Sequence, residues 1–201
     1  MKYCFTLLIC LLASIVYAQG SLKHAPFFDD FDNNQHGWYE FDEKEATGKI
    51  EKGQLFFSHH RTTGSWSLWN TVKINETKNF SIEAKIRFLG GFTKHGYGII
   101  WGANDLENKY FFIVTSLGFY TIRKVEAGKI KDIKPWTPNV YINQGNSENT
   151  FTIKKAGNSM LFYINQELLF VSDNYPFLGD KIGFTLAHNM KIAVDYLKVT
   201  Q

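Results

Sequence analysis

At 201 residues with a net charge of +3, the chain has the length for one domain with a sizeable core. Its densest basic group, Arg123, Lys124, Lys129, Lys131 and Lys134, is interrupted by Glu126 and Asp132. That is the pattern of a solvated face, not the concentrated basic stripe that a nucleic-acid partner requires.

Residues 1–18 read as a secretory signal peptide. Lys2 opens it, an apolar run fills Phe5 to Val16, and Val16-Tyr17-Ala18 supplies the cleavage step before Gln19. Both cysteines, Cys4 and Cys10, fall inside this segment, so the remaining domain, 19–201, has no thiol for a disulfide, a metal or a nucleophile. A secreted, periplasmic or cell-surface location is expected. No apolar run of spanning length follows residue 18, so no membrane span is expected.

Strand signals then recur to the end of the chain. The first lies at Phe27 to Phe31, followed by a polar Asp32-Asn33-Asn34-Gln35 loop and Trp38. Ile50 begins a hairpin that turns at Glu51-Lys52-Gly53-Gln54 and returns through Leu55-Phe56-Phe57, and Ser65 to Ile74 is a longer strand. Residues 80–88 alternate strictly: Phe80, Ile82, Ala84, Ile86 and Phe88 are apolar, while Ser81, Glu83, Lys85 and Arg87 are polar. Only a strand with one buried face has this period of two. Gly90-Gly91 breaks it, and 97–103, 110–115 and 119–125 follow as strands. The first two of these are apolar on both faces and so belong in mid-sheet. Two prolines and several Asn and Gly make 134–149 an irregular connection. Strands at 150–154, 160–164, 168–171, 181–186 and 192–199 complete about a dozen, with hairpin chemistry at Ala156-Gly157-Asn158 and Asn165-Gln166. So many short strands with no 3.6-residue period predict an all-β fold of two packed antiparallel sheets.

From about residue 27 to 200 the order of features resembles the laminin-G-like, concanavalin A-like jelly rolls of secreted bacterial proteins. The matching pieces include Phe28-Asp29-Asp30-Phe31 with Trp38, Phe80-Ser81-Ile82-Glu83-Ala84, Tyr97-Gly98-Ile99-Ile100-Trp101 and Asn108-Lys109-Tyr110-Phe111-Phe112. Later come Phe162 to Leu169, Lys181-Ile182-Gly183-Phe184 and Val194 to Val199. The resemblance implies a two-sheet jelly-roll sandwich. Its functions span lectins, binding modules, adhesion domains and glycosidases, so the fold alone does not choose among them. One neighbouring family of sugar hydrolases carries an Asn-Ser-Gly-Ile step in the central strand. Here that place reads Gly96-Tyr97-Gly98-Ile99-Ile100-Trp101, and that activity is not carried over.

Glycosidases of this fold share a Glu-x-Asp-x-x-Glu or Glu-x-Asp-x-Glu strand, and Glu40-Phe41-Asp42-Glu43-Lys44-Glu45 fits the longer string. It stands at the start of the chain rather than on a central strand, so it is read as a chance acidic run and no catalytic residue is assigned. Asp29, Asp30 and Asp32 with Asp195 could hold a calcium ion, although Asp- and Asn-rich turns commonly cap themselves. No other metal or cofactor is implied. His59 and His60 are adjacent on a strand and should face opposite sides, each in a surface or rim role. His95 and His188 sit near turns with no acid beside them.

Aromatic residues, at 16% of the chain, are the better clue, because sugar rings stack their C–H faces on exposed indole and phenol rings. In 65–74, Trp66 shares a face with Leu68, Val72 and Ile74, whereas Trp69 shares one with Ser65, Ser67, Thr71 and Lys73. Trp69 is therefore a candidate platform. Tyr97 and Trp101 share one face of the central strand, and Arg61 and Asn104 could add hydrogen bonds. The expected ligand site is Trp69, Tyr97, Trp101, Arg61 and Asn104. The expected function is non-catalytic binding of a carbohydrate or surface glycan, the alternatives being a glycoside hydrolase or lyase of this fold and a protein-binding envelope domain.

Overall fold

The computed structural model describes residues 27–201, so the leader segment and its cleavage step lie outside the described residues. Those described form fifteen strands and no helix. In chain order they are β1 (Phe27–Asp29), β2 (Phe41–Asp42), β3 (Ala46–Glu51), β4 (Gln54–His59), β5 (Ser65–Thr71), β6 (Phe80–Gly91), β7 (Tyr97–Ala103) and β8 (Lys109–Val114). There follow β9 (Phe119–Glu126), β10 (Lys129–Pro138), β11 (Glu148–Ala156), β12 (Ser159–Ile164), β13 (Glu167–Asp173), β14 (Lys181–Ala187) and β15 (Met190–Thr200).

They make two antiparallel sheets. One has nine strands, in the order β13-β12-β11-β6-β15-β4-β3-β2, with β1 added along β15. The other has six, in the order β10-β9-β8-β7-β14-β5. This is the two-sheet jelly roll the sequence predicts. β7 and β8 are interior strands, as their apolar faces require. The first and last described strands pair, Phe27 opposite Val199.

Alternation decides which side chains fill the space between the sheets. In β6, Phe80, Ile82, Ala84, Ile86 and Phe88 are all buried, while Arg87 is exposed and Ser81, Glu83 and Lys85 lie half in water. From the facing sheet come Tyr97, Ile99 and Trp101 of β7, Tyr110 and Phe112 of β8, and Ile182, Phe184 and Leu186 of β14. Rings interlock here: Phe112 meets Phe151 at 5.3 Å and Phe162 at 5.6 Å, both edge-on. Each such ring adds about 1.5–3 kcal/mol on burial, and each pair about 0.5–1.5 kcal/mol more.

The predicted tight turns form. Lys52-Gly53 and Asn165-Gln166 each place two consecutive residues at positive φ, as does the further turn at Ala127-Gly128. Such turns match the right-handed twist of the strands they join. Four expectations are corrected. Of the expected irregular connection 134–149, residues 134–138 belong to strand β10 and 139–147 are irregular; the prolines are tolerated because β10 is a sheet edge, where proline's missing N–H costs no ladder bond. The strand from Ser65 ends at Thr71, and β6 runs on through Gly90 and Gly91 at φ 140° and 107°. His59 does face away from the exposed His60, but it is 1% exposed and packs 5.7 Å from Trp66, so it is a core residue and not a rim residue.

Candidate functional site: the outer face of the six-stranded sheet

Side chains that point away from the core on the six-stranded sheet line up in rows. Register places Trp69, Gly183, Ile100, Phe111, Arg123 and Asp132 side by side across β5, β14, β7, β8, β9 and β10. A neighbouring row runs Ser67, Thr185, Gly98, Ile113 and Thr121. Ile100, Ala103, Phe111, Ile113 and Val125 form a second apolar cluster on this face, and Trp69 packs against it.

Over these residues lies a cleft of about 700 Å³. Phe111, Ile113 and Val125 floor it, Ile130 and Trp136 wall it, and Ser65, Lys94, His95, Glu107, Lys109, Arg123 and Thr185 supply polar groups. Trp136 reaches the cleft through a bulge. Lys134 pairs with Ile122 but Thr137 pairs with Tyr120, so three steps of β10 oppose two of β9 across Pro135. Such a bulge re-aims a side chain. The Thr121 hydroxyl donates to the Lys134 carbonyl at 2.7 Å and satisfies the group the bulge frees. Trp136 then lies over Gly96, where a Cβ would come within 3.0 Å of its Cη2 and 2.6 Å of Ile113 Cδ1. The Arg123 guanidinium sits 5.5 Å from the Trp136 ring centre and is ion-paired to Asp132.

Lys109 lines the cleft although it is only 7% exposed. Its Nζ donates to Ser67 Oγ at 3.4 Å, and Ser67 Oγ lies 3.5 Å from Thr185 Oγ1. Burial lowers the Lys109 pKa below the ordinary lysine value, with the charge of Asp105 pulling the other way.

The predicted site residues do not assemble as expected. Trp69 projects from the outer face, half-buried, with Lys181 Nζ at 5.9 Å from its ring centre. Tyr97 and Trp101 belong to the opposite parity and lie between the sheets, at 0% and 2% exposure, so neither offers a ring to a ligand. Trp101 stacks on Tyr110 at 5.3 Å, and the Tyr97 hydroxyl accepts from Asn149 Nδ2 at 3.4 Å while burial pushes its pKa up to about 12. Replacing Trp101 by Ala would cost about 3–5 kcal/mol and report on folding. Arg61 turns to Glu45 at 3.4 Å. Asn104 donates to Asp105 Oδ2 and lines a separate shallow cleft with Lys73, Glu76 and Phe177.

The acidic string is spent on structure. Glu40 accepts from Asn34 Nδ2 and the Ile50 amide, both at 3.0 Å, Asp42 pairs with Lys49, and Glu45 with Arg61. The four aspartates proposed for calcium do not converge. Asp29 accepts from Trp38 Nε1 at 2.7 Å and the Phe31 amide at 2.9 Å, Asp30 caps Asp32, and Asp195 pairs with Lys85 at 2.7 Å. Among the described residues no group of three or more His, Cys, Asp or Glu gathers to hold a metal. His95 and His188 do meet, with ring centres 4.4 Å apart beside Phe92. Sequence reading placed them separately because β14 joins β7 across 85 or so residues of chain.

No family model matches the chain, and no curated protein matches it. Solved structures do match, as similarities of fold. A Bacillus licheniformis β-glucanase aligns with a TM-score of 0.63 and 13% identity over 88% of this chain and 98% of its own. The endo-β-1,3-glucanase of Pyrococcus furiosus aligns at 0.57 and 13% identity, over 86% and 92%. A carbohydrate-binding module from Bacillus subtilis, CBM66, aligns at 0.50 and 14% identity, over 87% and 96%. A xylan β-1,4-xylosidase from Bacillus halodurans C-125 aligns at 0.58, and there this chain spans 39% of the enzyme's length. The fold is thus the concanavalin A-like jelly roll, shared by sugar-cleaving and sugar-binding proteins.

Proposed function

We propose that this protein is a secreted, laminin-G-like glycan-binding domain that holds sugar on the outer face of its six-stranded sheet without cleaving it. The observation that carries the reading is the composition of the cleft. It combines an apolar floor and an aromatic wall with scattered hydrogen-bonding groups, the make-up of a ligand site. Glycoside hydrolysis needs two carboxylates flanking one bond. Among the described residues lining the cleft, Glu107 is the one carboxylate. The fold neighbours named as a carbohydrate-binding module and as glucanases support a sugar as ligand.

Affinity electrophoresis of the 19–201 chain in gels cast with plant, algal and animal polysaccharides tests the reading. Binding is expected, with no release of reducing ends. Trp136→Ala should weaken it about tenfold or more, as aromatic anchors do, and Trp69→Ala by less, because Trp69 flanks the floor. Retention in no gel, or binding untouched by Trp136→Ala in a folded variant, would sink this assignment of the face. Export is tested separately: the N-terminus of the exported protein should read from Gln19.

A further inference from the structure

Lys109 is an expensive residue to keep. A buried ammonium needs an opposite charge or full hydrogen bonding. Arg61, Lys85, Arg87, Arg123 and Lys124 each have a carboxylate partner. Among the described residues Lys109 has none within ion-pair distance, and its one hydrogen bond, to Ser67, is long. The nearest acidic influence, Asp105, spends its oxygens on Asn104, Asn108 and the Glu107 amide. The ammonium therefore has donor capacity to spare, on the wall of a cleft whose floor is apolar. An apolar floor lowers the local dielectric and strengthens any ion pair made against it. Charges on the lining lean the same way: with Arg123 paired to Asp132, Lys94 and Lys109 stand against Glu107.

We infer that the cleft selects an acidic sugar, one bearing a carboxylate or a sulfate ester, and seats that oxyanion against Lys109 Nζ on the cleft lining. The inference rests on the glycan reading above and sharpens it. A neutral sugar would leave the ammonium uncompensated in the cleft. An oxyanion supplies the missing charge and accepts the unused N–H groups. The lysine is then kept for recognition, at a cost to the empty protein.

The test measures binding of the 19–201 chain to polygalacturonate, chondroitin sulfate, desulfated chondroitin, xylan and laminarin, with Lys109→Met and Lys109→Arg alongside. The acidic polymers should bind at least tenfold more tightly than the neutral ones. Lys109→Met should abolish that preference without lowering the melting temperature, and Lys109→Arg should keep part of it. Loss of binding on desulfation would assign the oxyanion to sulfate, and its retention would assign it to the uronate. Competition on the unaltered protein gives an answer independent of folding: galacturonate or galactose 6-sulfate should displace the polymer at concentrations where galactose does not. Equal affinity for neutral and acidic polymers, or an unchanged preference in Lys109→Met, would overturn the inference and leave the glycan reading standing. Binding to none of the polymers would remove both.

Discussion

His59 shows how one buried side chain ties stability to pH. It is 1% exposed, and neither ring nitrogen has a hydrogen-bond partner. Burial, the largest cause, lowers its pKa below the usual 6.5, and the nearby charge of Arg61 acts in the same direction. The folded state therefore holds a neutral ring. Above pH 6.5 both folded and unfolded His59 are neutral, and no stability is lost. Below it the unfolded ring takes up a proton that the folded ring refuses, so stability falls as pH falls toward the depressed folded value. One proton is worth up to about 1.4 kcal/mol per pH unit. Urea unfolding at pH 7.5 and 5.5 should show a smaller loss in His59→Leu than in the parent protein. Equal losses would mean that His59 is protonated when folded. This role was hidden in the sequence, because alternation puts His59 and His60 on opposite faces without saying which face is wet.

At the level of strands, much was legible and the misses have local causes. Lys52-Gly53 and Asn165-Gln166 announce their hairpins because few residue pairs tolerate two positive φ values in succession. Trp66 and Trp69 separate correctly by parity, Trp66 against the core near Phe41 and Trp69 outward. In β7 parity fails as a guide. Tyr97, Ile99 and Trp101 on one side and Ile100 on the other are all apolar, and only the facing sheet decides which side is interior. Trp136 was missed because Pro135 and Pro138 disguise an edge strand and its bulge. Gly183 was missed for want of its partners. It pairs with Trp69 on one side and Ile100 on the other, and a Cβ there would lie 2.1 Å from the Leu68 carbonyl and 2.8 Å from Trp69 Cβ. Strands β5 and β14 would have to part to admit it. Gly183→Ala should therefore cost about 1–3 kcal/mol in chemical unfolding, as overpacking does, whereas Thr71→Ala at the exposed end of β5 should fall within about 0.5 kcal/mol of the parent. An unchanged midpoint for Gly183→Ala would mean that this contact is loose.

Across the whole molecule the two sheets present opposite kinds of surface, and that contrast makes the site assignment testable. On the nine-stranded sheet the outward charges answer one another. Lys85 reaches Asp195 at 2.7 Å and Glu148 at 3.4 Å, Arg87 reaches Glu148 at 2.9 Å, and Tyr196 donates to Glu83 at 2.9 Å. Lys154 Nζ lies 5.0 Å from the Tyr163 ring centre. This surface also carries an aromatic ring, so an aromatic alone does not mark the binding face. What differs is that the charges here are paired in solvent, whereas Lys109 on the other sheet waits without a counter-charge. Exposed pairs of this kind contribute at most about 1 kcal/mol each. Sequence alone cannot make the distinction, because Ser67 and Thr185 are brought together across 118 residues of chain. The double variant Tyr163→Ala, Lys154→Ala should thus bind polysaccharide as the parent does and lose little stability. A tenfold loss of binding in that variant, with Trp136→Ala unaffected, would move the glycan to the nine-stranded sheet and leave the cleft of the other sheet without a role in binding it.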